Sequence, residues 1–363
     1  MEKQRQCRGC GSILQSQDPQ QVGYLPEHLL ADAGADKDLI CQRCYKLIHY
    51  GQVEKKSEAP DPNRVIAAGL QWAEGLLIVV DLMDFEASIP LGLRQFSKGK
   101  KTLVVVNKID LLPSRTKVSE AQAWVAKQLA KYGIAGEIVM VSANSGQGII
   151  ELQETLFGLP QKKWLVIGAT SVGKSTLISR ILKRENLVGK GSPTVARFPG
   201  TTVERVQWEL KYGVIVSDTP GFVPEGRLLD QLCIKCSQKL TPAKEINVKV
   251  YNLNAESGLV VPGLVAFRPI TAIEEMVIGF TASDVSWQRT KVNKFSSWLA
   301  KGCKHCAIKD WKTIELDIPQ NHDLVIHGLG WVSARRRNLK CEVTIPASVN
   351  YSIRENLIGV KNY

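Results

Sequence analysis

Along the chain, the pattern of apolar and polar positions changes character twice. Between residues 57 and 226, short solid apolar runs alternate with stretches of helical spacing. Leu76 to Val80, Thr102 to Val106, Val139 to Val141 and Trp164 to Ile167 predict buried strands, while Leu177, Ile178, Ile181 and Leu182 recur at the interval of one helix face. That mixture predicts an α/β fold. From about Leu240 the runs shorten and turns punctuate them: Lys249 to Leu253, Gly258 to Val261, Met276 to Phe280, Thr313 to Ile318 with clear alternation, and Asp323 to Ile326. One helix is expected there, over Val292 to Ala300, in an otherwise β-rich module spanning 227–363. The first part, 1–56, shows neither pattern and is dominated by cysteine pairs.

Polar motifs stand at the ends of the predicted strands. Trp164 to Ile167 runs into Gly168-Ala169-Thr170-Ser171-Val172-Gly173-Lys174-Ser175-Thr176, a G-x(4)-G-K-S loop that opens a helix. Strand, loop and helix in this order form a phosphate cradle, with the amides of Gly173, Lys174 and Ser175 aimed at a β-phosphate on the helix N-terminus. Lys174 is expected to bridge β- and γ-phosphates, and the Ser175 hydroxyl to bind Mg²⁺. The strand Val214 to Val216 leads to Asp218-Thr219-Pro220-Gly221, where Asp218 would organise Mg²⁺ and its waters and the Gly221 amide would approach the γ-phosphate. Between the two, Phe198-Pro199-Gly200-Thr201-Thr202 offers the metal a hydroxyl, from Thr202 or else Thr201. Lys174, Asp218, Gly221 and Thr202 are therefore the candidate catalytic residues.

Thr102 to Val106 ends in Asn107-Lys108-Ile109-Asp110. The Asp110 carboxylate can accept both N1–H and the exocyclic amine of guanine. Adenine offers neither donor, and an unpaired buried carboxylate is costly, so this residue selects GTP and GDP over ATP. Lys108 can lie along the base, Asn107 can tie its loop to the phosphate loop, and the Ala143 amide of Ser142-Ala143 can reach guanine O6. The guanine-reading motifs precede the phosphate loop, whereas ordinary GTPases begin with it. A circular permutation produces this order without moving the site, because ligands of such sheets bind at the carboxyl ends of the strands whichever strand comes first. The nucleotide-sensing loop ending at Gly221 then leads directly into the C-terminal region.

Charge adds a partner class. The 363 residues carry a formal net charge of +12. A polyanion is the natural partner of such a chain, since phosphate contacts release counterions. From Arg227 to Tyr363, 19 Lys and Arg stand against 12 Asp and Glu, densest at Arg335-Arg336-Arg337 with Lys340. No apolar run approaches the roughly 18 residues of a membrane span. The N-terminus lacks the apolar core of a signal peptide, so a cytoplasmic protein is expected, as a monomer.

Cys7-Arg-Gly-Cys10 and Cys41-Gln-Arg-Cys44, 30 residues apart, supply four thiolates suited to one closed tetrahedral Zn²⁺ site. A redox dithiol needs one pair in a strand-to-helix setting, which is missing here. Cys233-x-x-Cys236 and Cys303-x-x-Cys306 repeat the spacing, but Cys233 lies between Leu232 and Ile234, and His305 sits inside the second pair. Free buried thiols are the preferred reading there, with a second metal site the alternative.

In this order, with C-x-G-C and C-x-R-C in front and His327-Gly-Leu-Gly-Trp331 behind, the motifs resemble the YqeH family of circularly permuted, ribosome-associated GTPases. The resemblance implies GTP hydrolysis in assembly of the small ribosomal subunit, a ribosomal RNA or pre-ribosomal particle as partner, and a mostly β, RNA- or protein-binding C-terminal module. Two residues depart from related patterns. Phe222 stands where Ras-like chains carry a water-orienting Gln, so slow intrinsic hydrolysis is expected. Ser171 stands where many relatives carry an Asn that helps hold potassium, which counts against potassium activation. Trp287, Trp298, Trp311 and Trp331 are expected in the core rather than stacked on bases. A GTPase serving a protein or membrane-surface partner is the rival reading.

Overall fold

The computed structural model describes residues 13–18, 23–27, 39, 41, 62–89, 92–185, 194–198, 204–271, 273–306 and 308–359. Cys7, Cys10, Cys44, Thr201 and Thr202 lie outside them. Of the N-terminal cysteines only Cys41 is described, buried beside Leu14, Leu25 and Leu39.

The α/β part is one seven-stranded sheet in the order β3-β2-β1-β4-β7-β6-β5. Its strands are β1 (Gly75–Asp81), β2 (Lys101–Asn107), β3 (Glu137–Met140), β4 (Lys163–Ile167), β5 (Thr194–Arg197), β6 (Glu204–Glu209) and β7 (Ile215–Asp218). The five strands from β3 to β7 pair in parallel, and β6 and β5 extend the sheet antiparallel. Every residue of β1 is buried, which is why the central strands read as solid apolar runs. Alternate side chains of these strands supply two cores. Leu76, Ile78, Val80, Val104, Val106 and Leu165 pack under helices α1 (Pro62–Trp72) and α2 (Val118–Lys131). Leu77, Val79, Leu103, Val105 and Val166 pack under α3 (Ile149–Gly158) and α4 (Lys174–Arg184). Register sets Asp81 opposite Asn107, and Asp218 opposite Val166 just before the phosphate loop, so the strand ends carrying the motifs share one edge.

After β7 the chain passes through a 3-10 turn at Leu228–Gln231 and helix α5 (Ile234–Leu240) into two five-stranded antiparallel sheets. One is ordered β12-β9-β10-β16-β13, the other β17-β14-β15-β11-β8. The strands are β8 (Asn247–Leu253), β9 (Ser257–Val261), β10 (Val265–Pro269), β11 (Glu275–Thr281), β12 (Gln288–Lys291), β13 (Trp311–Ile318), β14 (His322–Ile326), β15 (Gly330–Ala334), β16 (Leu339–Pro346) and β17 (Tyr351–Glu355). Leu253, Leu259, Phe267, Val277, Leu324 and Val343 belong to the core they share. The helix expected over Val292 to Ala300 is a 3-10 turn at Val292–Lys294 followed by α6 (Phe295–Leu299). Trp287 and Trp331 are buried, whereas Trp298 and Trp311 are half-buried, with the Lys301 ammonium 3.6 Å from the Trp298 ring centre.

Within the basic run, Arg336, Arg337 and Lys340 are exposed and Arg335 is not. Arg335 is buried and donates to the Ile358 carbonyl at 2.6 Å, Arg337 pairs with Glu275 at 2.7 Å, and Lys340 pairs with Glu315 at 2.5 Å. Counting charge along the sequence could not see these partners, which come from other strands and the C-terminal tail. Among the described residues no helix is long and apolar enough to cross a membrane.

The sandwich docks on the α/β sheet through buried, paired contacts. Phe280, Val325 and Trp331 join the core cluster of β1 and α2. Arg354, buried between the rings of Trp124 and Trp331, pairs with Glu86 at 2.7 Å. Trp124 Nε1 donates to the Glu355 carbonyl at 2.9 Å. The His327-Gly-Leu-Gly-Trp331 turn is part of this seam: Leu228 N–H donates to the His327 carbonyl at 2.9 Å, and Gly328 N–H to Asp84 Oδ1 at 2.9 Å. Gly328 has a φ of +78°, and a Cβ there would sit 2.7 Å from Arg227 Cγ. Glycine is needed on both counts.

Candidate nucleotide site

The strand ends gather the expected residues around one cleft of about 420 Å³, lined in part by Asn107, Lys108, Asp110, Ala143, Gly173 and Thr176. Asn107 is its hub. The side-chain amide donates to the Val172 carbonyl of the phosphate loop at 2.8 Å and accepts from the Ala143 amide at 2.9 Å. It is buried and satisfied on both ends, so three loops are tied by one residue. The approach is tight: a Cβ on Gly173, whose φ is +96°, would lie 2.3 Å from Asn107 Nδ2. Ser142 Oγ accepts from the Ser145 amide at 2.9 Å and shapes the turn that presents Ala143. Lys108 forms an ion pair with Asp81 at the end of β1. Lys108 and Ser171 are two of the four described non-glycine residues with positive φ, and both line the site. Such backbone conformations gather at ligand sites because surrounding structure must hold them.

Lys174 is buried at the start of α4, and its ammonium donates to the carbonyls of Gly168 and Ala169, both at 2.8 Å. Burial pushes its pKa down while Asp218 opposes that shift. Asp218 is raised from 3.8 to about 6, chiefly by burial, with Lys174 and the Thr219 amide pulling the other way. Its Oδ1 is shielded from solvent and has no hydrogen-bond partner. A buried carboxylate oxygen left unpaired at a phosphate loop fits a divalent cation. Ser175 and Thr176, in the first turn of α4, are exposed, and Thr176 lines the cleft. A Cβ on Gly221 would stand 2.8 Å from Lys174 Nζ and 2.9 Å from the Thr170 amide, so this loop comes as close to the phosphate loop as glycine permits.

Three features had no local signal in the sequence. Arg180, on α4, braces the Ser142-Ala143 loop through the Ala143 carbonyl at 3.0 Å and the Asn144 carbonyl. Thr241, Pro242 and Ala243, which follow α5, form a wall of the same cleft as Asp110. Arg227 is buried and fork-shaped contacts define its role: it donates to the Thr170 carbonyl at 3.0 Å and hydroxyl at 2.7 Å, and pairs with Asp230 at 2.7 Å. Phe222 completes the link by accepting from the Thr170 amide at 2.8 Å. The preference for free buried thiols at the later cysteines is overturned: Cys233, Cys236, Cys303 and Cys306 converge, and none of the four is buried.

Residues 91–226 match the family model described as RsgA GTPase. Over that stretch the chain is similar to the GTPase domain of the RsgA family. Its motif order makes that domain circularly permuted, with a β-rich part after it. YqeH of Bacillus subtilis is 28% identical over 97% of this chain and 99% of its own. Nitric oxide-associated protein 1 of Mus musculus is 26% identical over 56% of this chain and 36% of its own length. The small ribosomal subunit biogenesis GTPase RsgA of Haemophilus influenzae is 36% identical over 33% of each chain. The chain thus spans the whole of the Bacillus protein but about a third of the other two. The resemblance read from the motifs agrees with these relatives, and likeness to a GTPase family implies binding of GTP or GDP with Mg²⁺.

Proposed function

We propose that the chain is a GTP-dependent switch acting in assembly of the small ribosomal subunit, its domains being the zinc module at 1–56, the GTPase domain at 57–226 and the sandwich at 227–363. The observation that carries this reading is the paired contact of Asn107 with both Val172 and Ala143, which gathers the guanine-reading and phosphate-binding motifs into one cleft. Within it, Asp110 reads the guanine edge, Ala143 reaches O6, and the amides of Gly173 to Ser175 hold the phosphates. Ser175, Asp218 and, with the triphosphate bound, Thr202 are the residues that would hold Mg²⁺, which would supply charge neutralisation on the phosphates. Lys174 leaves its own loop carbonyls to bridge β- and γ-phosphates, and the Gly221 amide senses the γ-phosphate. The name of the Haemophilus relative and the net charge of +12 support a ribosomal partner. The test is sedimentation of cell extract on a sucrose gradient with a non-hydrolysable GTP analogue and with GDP. The protein should comigrate with small-subunit particles in the first state and be released in the second. Comigration with large-subunit particles or with none would refute the assignment, and the latter would favour a protein partner of another kind.

A further inference from the structure

Cys233 lies at the start of α5, directly after the Leu228–Gln231 turn, while Cys303 and Cys306 lie in the loop that follows α6 of the sandwich. The two pairs are separated by the 66 residues between Cys236 and Cys303, yet all four sulfurs lie within 4.8 Å of one another. Each C-x-x-C closes in the same way: Cys236 N–H donates to the Cys233 carbonyl at 3.0 Å and Cys306 N–H to the Cys303 carbonyl at 3.1 Å. The Cys233 amide also points at the Cys306 sulfur, 3.4 Å away. Turns whose amides face sulfur are the knuckles that present thiolates to a metal, and here two of them face each other.

We propose that Cys233, Cys236, Cys303 and Cys306 form a closed four-thiolate Zn²⁺ site that staples the exit of the GTPase domain to the sandwich. The spacing decides among the alternatives. Cys233 Sγ and Cys303 Sγ are 3.8 Å apart, far beyond a disulfide's roughly 2.05 Å. A tetrahedron of sulfurs about 2.3 Å from a central ion has edges of about 3.8 Å, matching that separation. An iron–sulfur cluster, with several irons between its ligands, needs a wider cage than four sulfurs within 4.8 Å leave. Four sulfurs and no exchangeable position describe a structural rather than a catalytic ion. His305, inside the second pair, is exposed and does not join the four. Loading the site releases the four thiol protons as Zn²⁺ takes four thiolates, so occupancy falls with pH.

The staple has a consequence for the nucleotide cleft. Cys233 and Cys236 hold one end of α5, and the other end leads into Thr241, Pro242 and Ala243, which wall that cleft. Without the ion, α5 is held by fewer contacts and this wall loosens. That consequence rests on the nucleotide reading above, whereas the zinc count does not, so the two can fail separately.

The experiment compares full-length wild type with two double variants by elemental analysis after anaerobic purification. Cys7→Ser with Cys41→Ser should retain about one zinc per chain, and Cys233→Ser with Cys303→Ser should lose one relative to wild type. Serine is itself a good residue at the start of a helix, so the Cys233 change spares α5. A zinc-free N-terminal variant, or wild-type zinc content in the other, overturns the site. Should either variant fail to fold, native alkylation of wild type decides: Cys303 is exposed, so packing cannot protect it. Protection from N-ethylmaleimide that a chelator removes supports the site, and immediate modification overturns it. In the N-terminal variant background, stripping the remaining zinc should speed release of a fluorescent GDP analogue several-fold. An unchanged rate, with the zinc count upheld, would overturn the role in the cleft alone.

Discussion

Asp84 offers a perturbation whose size follows from its surroundings. It stands in the turn after β1, at the seam with the sandwich, where Oδ1 accepts from Gly328 N–H at 2.9 Å and Oδ2 is shielded from solvent without a partner. Burial, then the Asp81 charge, push its pKa from 3.8 to about 6, against the pull of the Gly328 amide and Arg227. The folded state therefore holds a proton that the unfolded state releases, so stability falls as pH rises from about 4 to 6 and the loss persists above that. At 1.36 kcal/mol per pH unit the full cost above pH 6 is about 3 kcal/mol, and near pH 4.5 about 1 kcal/mol. Asp84→Asn keeps the acceptor for Gly328 and removes the charge that Asp81 repels. Urea unfolding at pH 8 should show the variant more stable by roughly 1–3 kcal/mol, with a smaller gain at pH 4.5. An equal or lower stability at pH 8, or a gain independent of pH, would refute the reasoning.

Arg227→Ala removes two hydrogen bonds to Thr170 from a charged donor; with Asp230 31% exposed and free to rehydrate, the loss is about 3 kcal/mol in urea unfolding, with weakened nucleotide affinity. Stability within about 0.5 kcal/mol of wild type would show the contact to be idle. Asp110→Asn should shift preference from guanine towards xanthine nucleotides, because an amide donor matches the 2-oxo group; calorimetry showing unchanged GTP affinity would sink the assignment of Asp110. Neutralising Arg335, Arg336 and Arg337 together should lower the thermal midpoint while Arg336→Ala alone leaves it in place, since Arg335 is buried and Arg337 is paired. A triple variant as stable as wild type, with a flattened salt dependence of RNA binding, would restore that run as a recognition surface.

What the sequence made legible follows the range of the interactions. Motifs whose function depends on consecutive backbone groups, such as Gly168 to Thr176 or Asn107 to Asp110, are written locally and could be placed on strand ends before any coordinates. The solid runs of β1, β2 and β4 announced a sheet covered on both faces, and β8, β9, β11, β13 and β14 were visible within a residue or two of their bounds. Strands β16 and β17 were not, because Lys340 follows the basic run and Arg354 interrupts Tyr351–Glu355 with a charge that is satisfied only by Glu86 from the other part of the chain. Arg180, Arg227 and the Thr241–Ala243 wall left no local trace for the same reason: each acts across 36 or more residues or through a turn with no fixed motif. The later cysteines were misjudged because apolar neighbours of Cys233 suggested a core position, while the fold brings the second pair to it from 70 residues away.

Permutation gives those long-range contacts a shared direction. In an unpermuted domain the loop after Asp218-Thr-Pro-Gly221 returns into the same sheet, and a change in it can be absorbed there. Here the chain leaving Gly221 first touches the phosphate loop again through Phe222 and Arg227 at Thr170. It then supports the His327 to Trp331 turn through Leu228, passes the four cysteines, and re-enters the nucleotide cleft as Thr241 to Ala243 before β8 begins. The connection is therefore in contact with both the ligand's surroundings and the sandwich along most of its length. A movement of Gly221 that this connection carried to Arg227 would disturb its fork with Thr170 and, through the contact of Arg227 with Gly328, the seam there. By linkage, a partner that grips the sandwich in one seam geometry must change GTP affinity by the factor with which GTP changes its own.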